Sequence, residues 1–161
     1  MIRAYIALGS NLGNPVSTVD AAIDAMAALR GSILKAMSSL YRTAPVGLKH
    51  QPDFINAMVA IDTRLPAREL LDELFRVEAE FGRVRSVRNA PRTLDLDLIL
   101  YDDLVQDDPE LTLPHPRMHE RAFVLMPLEE IAPGLIVPGH GRVPELLERC
   151  RDQRIHVLTR P

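Results

Sequence analysis

At 161 residues, the chain has the size of a single domain built around one hydrophobic core. Its 47% apolar and 25% charged residues exclude a disordered chain, and a net charge of -3 excludes coating of nucleic acid by bulk attraction. Cys150 is the only cysteine, which rules out an internal disulfide or a cysteine-based metal site. No apolar run approaches the roughly 20 residues that cross a bilayer. Met1-Ile2-Arg3-Ala4-Tyr5-Ile6 reads as strand, not as a secretory leader. A cytoplasmic monomer is expected, without membrane, nucleic-acid or obligate protein partner.

In chain order, Ile2 to Leu8 predicts a buried strand that stops at the turn Gly9-Ser10-Asn11-Leu12-Gly13. Asn14-Pro15 offers an N-cap and a first-turn proline, and Val19, Ala22, Ile23, Met26 and Leu29 keep helical spacing until Gly31. Ile33 to Thr43 reads as one extended run, and Phe54 to Thr63 as another, with a polar loop from Leu48 to Asp53 between them. Pro66 opens a second helix whose Leu70, Leu71, Leu74, Val77, Glu78 and Phe81 follow the 3.6-residue period, and Gly82 closes it. An arginine-rich loop from Arg83 to Arg92 leads into a strand from Thr93 to Tyr101. The order β-α-β-β-α-β predicts an α+β, ferredoxin-like fold: a mainly antiparallel sheet with both helices on one face. A proline-rich C-terminal extension follows, with helices around Arg121 to Ile131 and Pro144 to Cys150.

Thr93-Leu94-Asp95-Leu96-Asp97-Leu98-Ile99 alternates polar and apolar. Alternate side chains of a strand share a face, so Asp95 and Asp97 project together from α-carbons roughly 6.5–7 Å apart, with Leu94, Leu96, Leu98 and Leu100 behind them. Paired carboxylates repel unless a cation lies between them or one is protonated, which points to Mg²⁺ and a polyphosphate. The competing reading, a solvated strand face, normally uses Thr, Lys, Glu and Gln, because Asp is depleted in strands. Arg83, Arg85, Arg88 and Arg92 precede the pair; a guanidinium fork suits phosphate oxygens, although a basic loop salt-bridged to Glu73, Glu78 and Glu80 would look the same. Neither a Walker loop nor GxGxxG is present. His115 and His119 stand at i,i+4, but Pro116 interrupts any helix that could join them into a zinc site.

Five blocks then gain meaning together: Ala4 to Gly13, Ser39 to Gly47, Gln51 to Ala57, Arg88-Asn89-Ala90-Pro91-Arg92-Thr93-Leu94-Asp95-Leu96-Asp97-Leu98-Ile99, and Leu113 to Leu125. In these blocks, and in their order, the chain resembles the 6-hydroxymethyl-7,8-dihydropterin pyrophosphokinases of folate biosynthesis over nearly its whole length. The resemblance implies one pyrophosphokinase domain, residues 1–161, that moves the β,γ-diphosphate of ATP to the pterin hydroxymethyl oxygen and leaves AMP. Asp95 and Asp97 match the ligands of two Mg²⁺ ions, and Arg83 and Arg92 join them as catalytic groups. ATP contacts fall on Glu78, Arg83, Arg85, Arg92, Leu98, His115 and Arg121. The pterin pocket falls on Phe54 and Phe123 as an aromatic sandwich, on Asn56 at the polar edge, and on Thr43, Ala44, Val46 and Asp95. Many members carry a tryptophan in the arginine loop where this chain has Asn89, so closure of that loop here would lean on arginine–phosphate contacts.

Two other readings are open on residues alone. A non-catalytic ferredoxin-like module for RNA would use the arginines, but the aspartates would repel the phosphates and few aromatics are available for base stacking. A phosphotransferase with a different acceptor would need another pocket around Phe54, Asn56 and Phe123.

Overall fold

The computed structural model describes residues 1–45, 50–82 and 93–158. Strand β1 (Ile2–Ser10) runs into helix α1 (Pro15–Ala27), where Asn14 Oδ1 accepts a hydrogen bond from Ser17 N at 3.3 Å. Strands β2 (Ser32–Met37), β3 (Tyr41–Thr43) and β4 (Phe54–Thr63) precede helix α2 (Ala67–Glu80). Pro66 occupies the N-cap position of α2, and Gly82, at φ 76°, takes the left-handed conformation that ends such a helix. Strand β5 (Asp95–Tyr101) follows, then a hairpin of β6 (Gln106–Asp108) and β7 (Leu111–Leu113). The C-terminal part adds α3 (Ala122–Ile131), a two-residue pair β8 (Ile136–Val137) and β9 (Gly141–Arg142), α4 (Val143–Glu148) and β10 (Ile155–Val157).

The main sheet has the order β10-β3-β4-β1-β5, with β2 also paired to β4, and every pairing is antiparallel. The extended run expected from Ile33 to Thr43 is broken into β2 and β3, which lie end to end along the same partner. Ser38 makes the break: its backbone N–H reaches Met58 O at 2.9 Å while its Oγ accepts from Met58 N at 2.9 Å. A side chain thus stands in for a ladder carbonyl, and the ladder kinks there.

Two hydrophobic cores sandwich the sheet. On one face Ile6, Leu8, Val59, Ile61, Leu96 and Leu98 meet Val19 and Met26 of α1 and Leu70 and Leu74 of α2. On the other, Tyr5, Met58, Ala60 and Ile99 meet Leu125 and Leu128 of α3 and Leu146 of α4. The expectation of helices on one face therefore describes α1 and α2 only; the C-terminal helices cover the opposite face. Double coverage explains why β4 is apolar along most of its length instead of alternating.

Leu100 departs from its expected place beside Leu94, Leu96 and Leu98. Ile6 opposes Leu98 but Tyr5 opposes Leu100, so the register slips past Ile99. This bulge switches the facing of later residues: Leu94, Leu96 and Leu98 sit in the first core, while Ile99 and Leu100 sit in the second.

Candidate active site

Register alone assembles most of the site. Tyr41 of β3 opposes Asn56 of β4, Asn56 opposes Gly9 of β1, and Gly9 opposes Asp95 of β5. One row over, Met58 opposes Ala7 and Ala7 opposes Asp97. Residues opposite one another share a face, so Asn56, Asp95 and Asp97 all project toward the α3 side, with only Gly9 and Ala7 between them. Thr43 opposes Phe54 at the end of the same face.

Two of these side chains hold each other. Thr43 Oγ1 donates to Asn56 Oδ1 at 2.6 Å, and both residues are buried. The Asn56 amide therefore keeps its Nδ2 end directed away from β3. Behind β5, on the α2 side, Glu78 is 2% exposed and its Oε2 accepts from Leu96 N at 2.8 Å. Strand β5 borders the sheet, and Glu78 satisfies the edge amide lying between the two aspartates.

The opposite wall comes from the chain after β7. His115 N donates to Ile99 O at 2.9 Å, which hangs this segment on β5. Burial, together with the Arg121 and Arg117 cations, pushes the His115 pKa down to about 4 against the opposing pull of Asp95. The ring is thus neutral at pH 7. Its Nδ1 accepts from Arg117 N at 3.3 Å, which leaves Nε2–H as a donor. Arg121 stands immediately before α3, with its guanidinium carbon 5.3 Å from the centre of the Phe123 ring, a cation–π contact. Phe123, half-buried in the first turn of α3, packs on the second core.

The structure therefore brings Thr43, Phe54, Asn56, Asp95, Asp97, His115, Arg121 and Phe123 to one end of the sheet. Glu78 and the Leu98 side chain lie on the other face, Leu98 in the first core. Ala44 is exposed at the end of β3. Val46, Arg83, Arg85, Arg88, Asn89 and Arg92 lie outside the described residues. Of the acidic helix residues, Glu73 and Glu80 pair with Arg76 of the same helix. Among the described residues no cluster of three or more His, Cys, Asp or Glu side chains could hold a metal. Two hard carboxylate donors fit Mg²⁺, which keeps several waters and takes phosphate oxygens for the remainder of its shell.

Sequence reasoning missed one network beside the site. Glu130 of α3 accepts from Ser39 N at 3.0 and 3.1 Å, from Ser39 Oγ at 2.8 Å and from the Tyr41 hydroxyl. No local pattern pairs residues this distant in the chain.

An α+β fold gathers charged and aromatic groups at one sheet end, and comparison with known proteins gives the class, an ATP-dependent pyrophosphokinase. The model of the 7,8-dihydro-6-hydroxymethylpterin-pyrophosphokinase (HPPK) family matches residues 5–133. The chain is 46% identical over 159 residues to the 2-amino-4-hydroxy-6-hydroxymethyldihydropteridine pyrophosphokinase of Haemophilus influenzae, covering 99% of each chain. It is 47% identical over 156 residues to the Pseudomonas aeruginosa protein of the same name, covering 97% of this chain and 96% of that one. A Plasmodium falciparum HPPK-DHPS structure with pteroate superimposes with a TM-score of 0.69 at 12% identity, over 98% of this chain and 47% of that longer chain; this likeness concerns the fold alone. The chain belongs to the 7,8-dihydro-6-hydroxymethylpterin-pyrophosphokinase family.

Proposed function

We infer that this protein transfers the β,γ-diphosphate of ATP to the hydroxymethyl oxygen of 6-hydroxymethyl-7,8-dihydropterin, releasing AMP, within folate biosynthesis. The observation that carries the reading is the sheet-end row Asn56–Gly9–Asp95, with Asp97 one step behind it. It sets a polar amide suited to a heterocycle edge beside paired carboxylates suited to a metal-bound polyphosphate, with Gly9 between them in the register. The strand order of β5, β1, β4 and then β2 with β3 supports a ferredoxin-like core, and we take residues 1–161 as one catalytic unit acting as a cytoplasmic monomer.

Asp95 and Asp97 are the proposed ligands of two Mg²⁺ ions. Bound there, the metal would neutralise phosphate charge and orient the group being transferred. Arg83, Arg85 and Arg92 meet the phosphates, and Arg121 and the Nε2–H of neutral His115 donate to them from the α3 side. Leu96 N turns outward to Glu78, so by the alternation of an antiparallel ladder the main chain of Leu98 faces the same open edge and is available to the nucleotide. Glu78 bears on the nucleotide side through that edge. Phe54 and Phe123 enclose the pterin ring from sheet and helix. Asn56, with Asp95 and the main chain at Thr43, Ala44 and Val46, reads its polar rim. The hydroxymethyl oxygen bonds to Pβ as the bond from Pβ to the AMP oxygen breaks, and the hydroxyl proton leaves to solvent. The chain's part is positioning and charge stabilisation.

Product analysis with ATP, Mg²⁺ and dihydropterin tests this directly. AMP should accumulate with the pterin diphosphate, and only when the pterin is present. ADP in its place, or turnover indifferent to the pterin, would refute the reading.

A further inference from the structure

The turn Gly9-Ser10-Asn11 has no role in the mechanism above, yet it is among the most enclosed parts of the chain: Ser10 is fully buried and Asn11 is 1% exposed. Gly9 stands between Asn56 and Asp95 in the sheet-end row. A Cβ added there would lie 3.1 Å from Asn56 Nδ2 and 3.9 Å from Phe54 Cδ1. Gly9 does not have a positive φ, so the backbone would accept alanine and the constraint is one of space. Nor can the Asn56 amide swing aside freely, because its Oδ1 is held by the Thr43 hydroxyl. Two residues on, Asn11 Nδ2 donates to Gln51 Oε1 at 2.7 Å and to Pro52 O at 3.1 Å, which ties the segment leading into Phe54 to the end of β1.

We propose that this turn is the positioning device of the pterin half of the site: Gly9 keeps the floor open between Asn56 and Asp95, and Asn11 fixes the Gln51–Pro52 approach to Phe54. Neither residue touches a reacting atom. Both set where the pterin-reading groups stand, and neither governs the nucleotide. The inference rests on the pterin site proposed above.

The test compares Gly9→Ala, Asn11→Ala and Gln51→Ala with the parent protein. Binding of 6-hydroxymethylpterin in the presence of α,β-methylene-ATP and Mg²⁺ is measured by calorimetry, and nucleotide binding is measured separately. Gly9→Ala and Asn11→Ala should each weaken pterin binding by about tenfold, the scale of one displaced hydrogen bond, with nucleotide affinity unchanged. Unchanged pterin affinity, or equal loss for both ligands, would overturn the proposal. Should Asn11→Ala fail to fold, Gln51→Ala removes the same contact from the partly exposed side, and full pterin affinity there overturns the Asn11 role. Asn56→Ala separates the layers: if it leaves pterin binding intact, the site reading fails, whereas if it alone weakens binding, only this inference falls.

Discussion

Asp95 and Asp97 point the same way because strand alternation makes them, and they point toward α3 because the leucines between and beside them are buried under α1 and α2. Replacing Asp97 with Ala removes a proposed metal ligand from a partly exposed position outside the two hydrophobic cores. Turnover to AMP should fall by at least about 100-fold with the melting temperature preserved; near-normal rates in excess Mg²⁺ would remove Asp97 from the metal site. Glu78 makes the complementary case. Its carboxylate is buried, and accepting the Leu96 N–H on the edge of β5 offsets part of the cost of burial. Glu78→Gln keeps an oxygen acceptor there, whereas Glu78→Leu leaves that amide without it, a loss of about 1–3 kcal/mol. Urea unfolding should rank the proteins parent, then Gln, then Leu, and equal stability of the two variants would contradict the bracing role.

At the scale of elements, the break at Ser38–Leu40 lets β2 and β3 share β4, and Glu130 fastens that break to α3, the helix that carries Phe123. Desolvation pushes the Glu130 carboxyl up, but hydrogen bonds from Tyr41 and Ser39 outweigh it and hold the pKa below its ordinary 4.5. A depressed folded-state pKa stabilises the native state above the unfolded value, and that stabilisation is lost as the pH falls through the folded one. Parent and Glu130→Gln should therefore differ in stability at neutral pH and converge as acid is added below 4.5. A gap that stays constant across that range would show that the charge is not what the clamp uses. Burial and the same carboxylate push the Tyr41 hydroxyl above its usual range, so it remains a donor throughout.

For the whole molecule, the second core sets α3 over the face that carries the aspartates, with Arg121 immediately before that helix and Phe123 in its first turn. Cys150, 4% exposed and raised in pKa chiefly by burial, belongs to that core. Its thiol should react slowly with a disulfide reagent in the native protein and quickly once the C-terminal helices detach. A labelling rate in native buffer equal to that in urea would mean that this core opens freely.

Strands β1, β4 and β5, helices α1 and α2 and the facing of Asp95 and Asp97 were all legible in the sequence, because hydrophobic period, N-cap, proline and glycine are local signals. The five motif blocks likewise contain Thr43, Phe54, Asn56, Asp95, Asp97, His115, Arg121 and Phe123, all at the sheet end, while the expected Val46, Arg83, Arg85 and Arg92 lie outside the described residues. The break between β2 and β3, the bulge that reverses Leu100, the addition of β10 to the sheet and the Glu130 clamp carry no such signal. They depend on which distant backbone satisfies a given hydrogen bond and on which face a second layer covers. The residues themselves determine what kinds of groups the site contains. Only the packing of α3 across an antiparallel sheet decides that those groups meet, because cross-strand register and layer contacts join positions far apart in the chain.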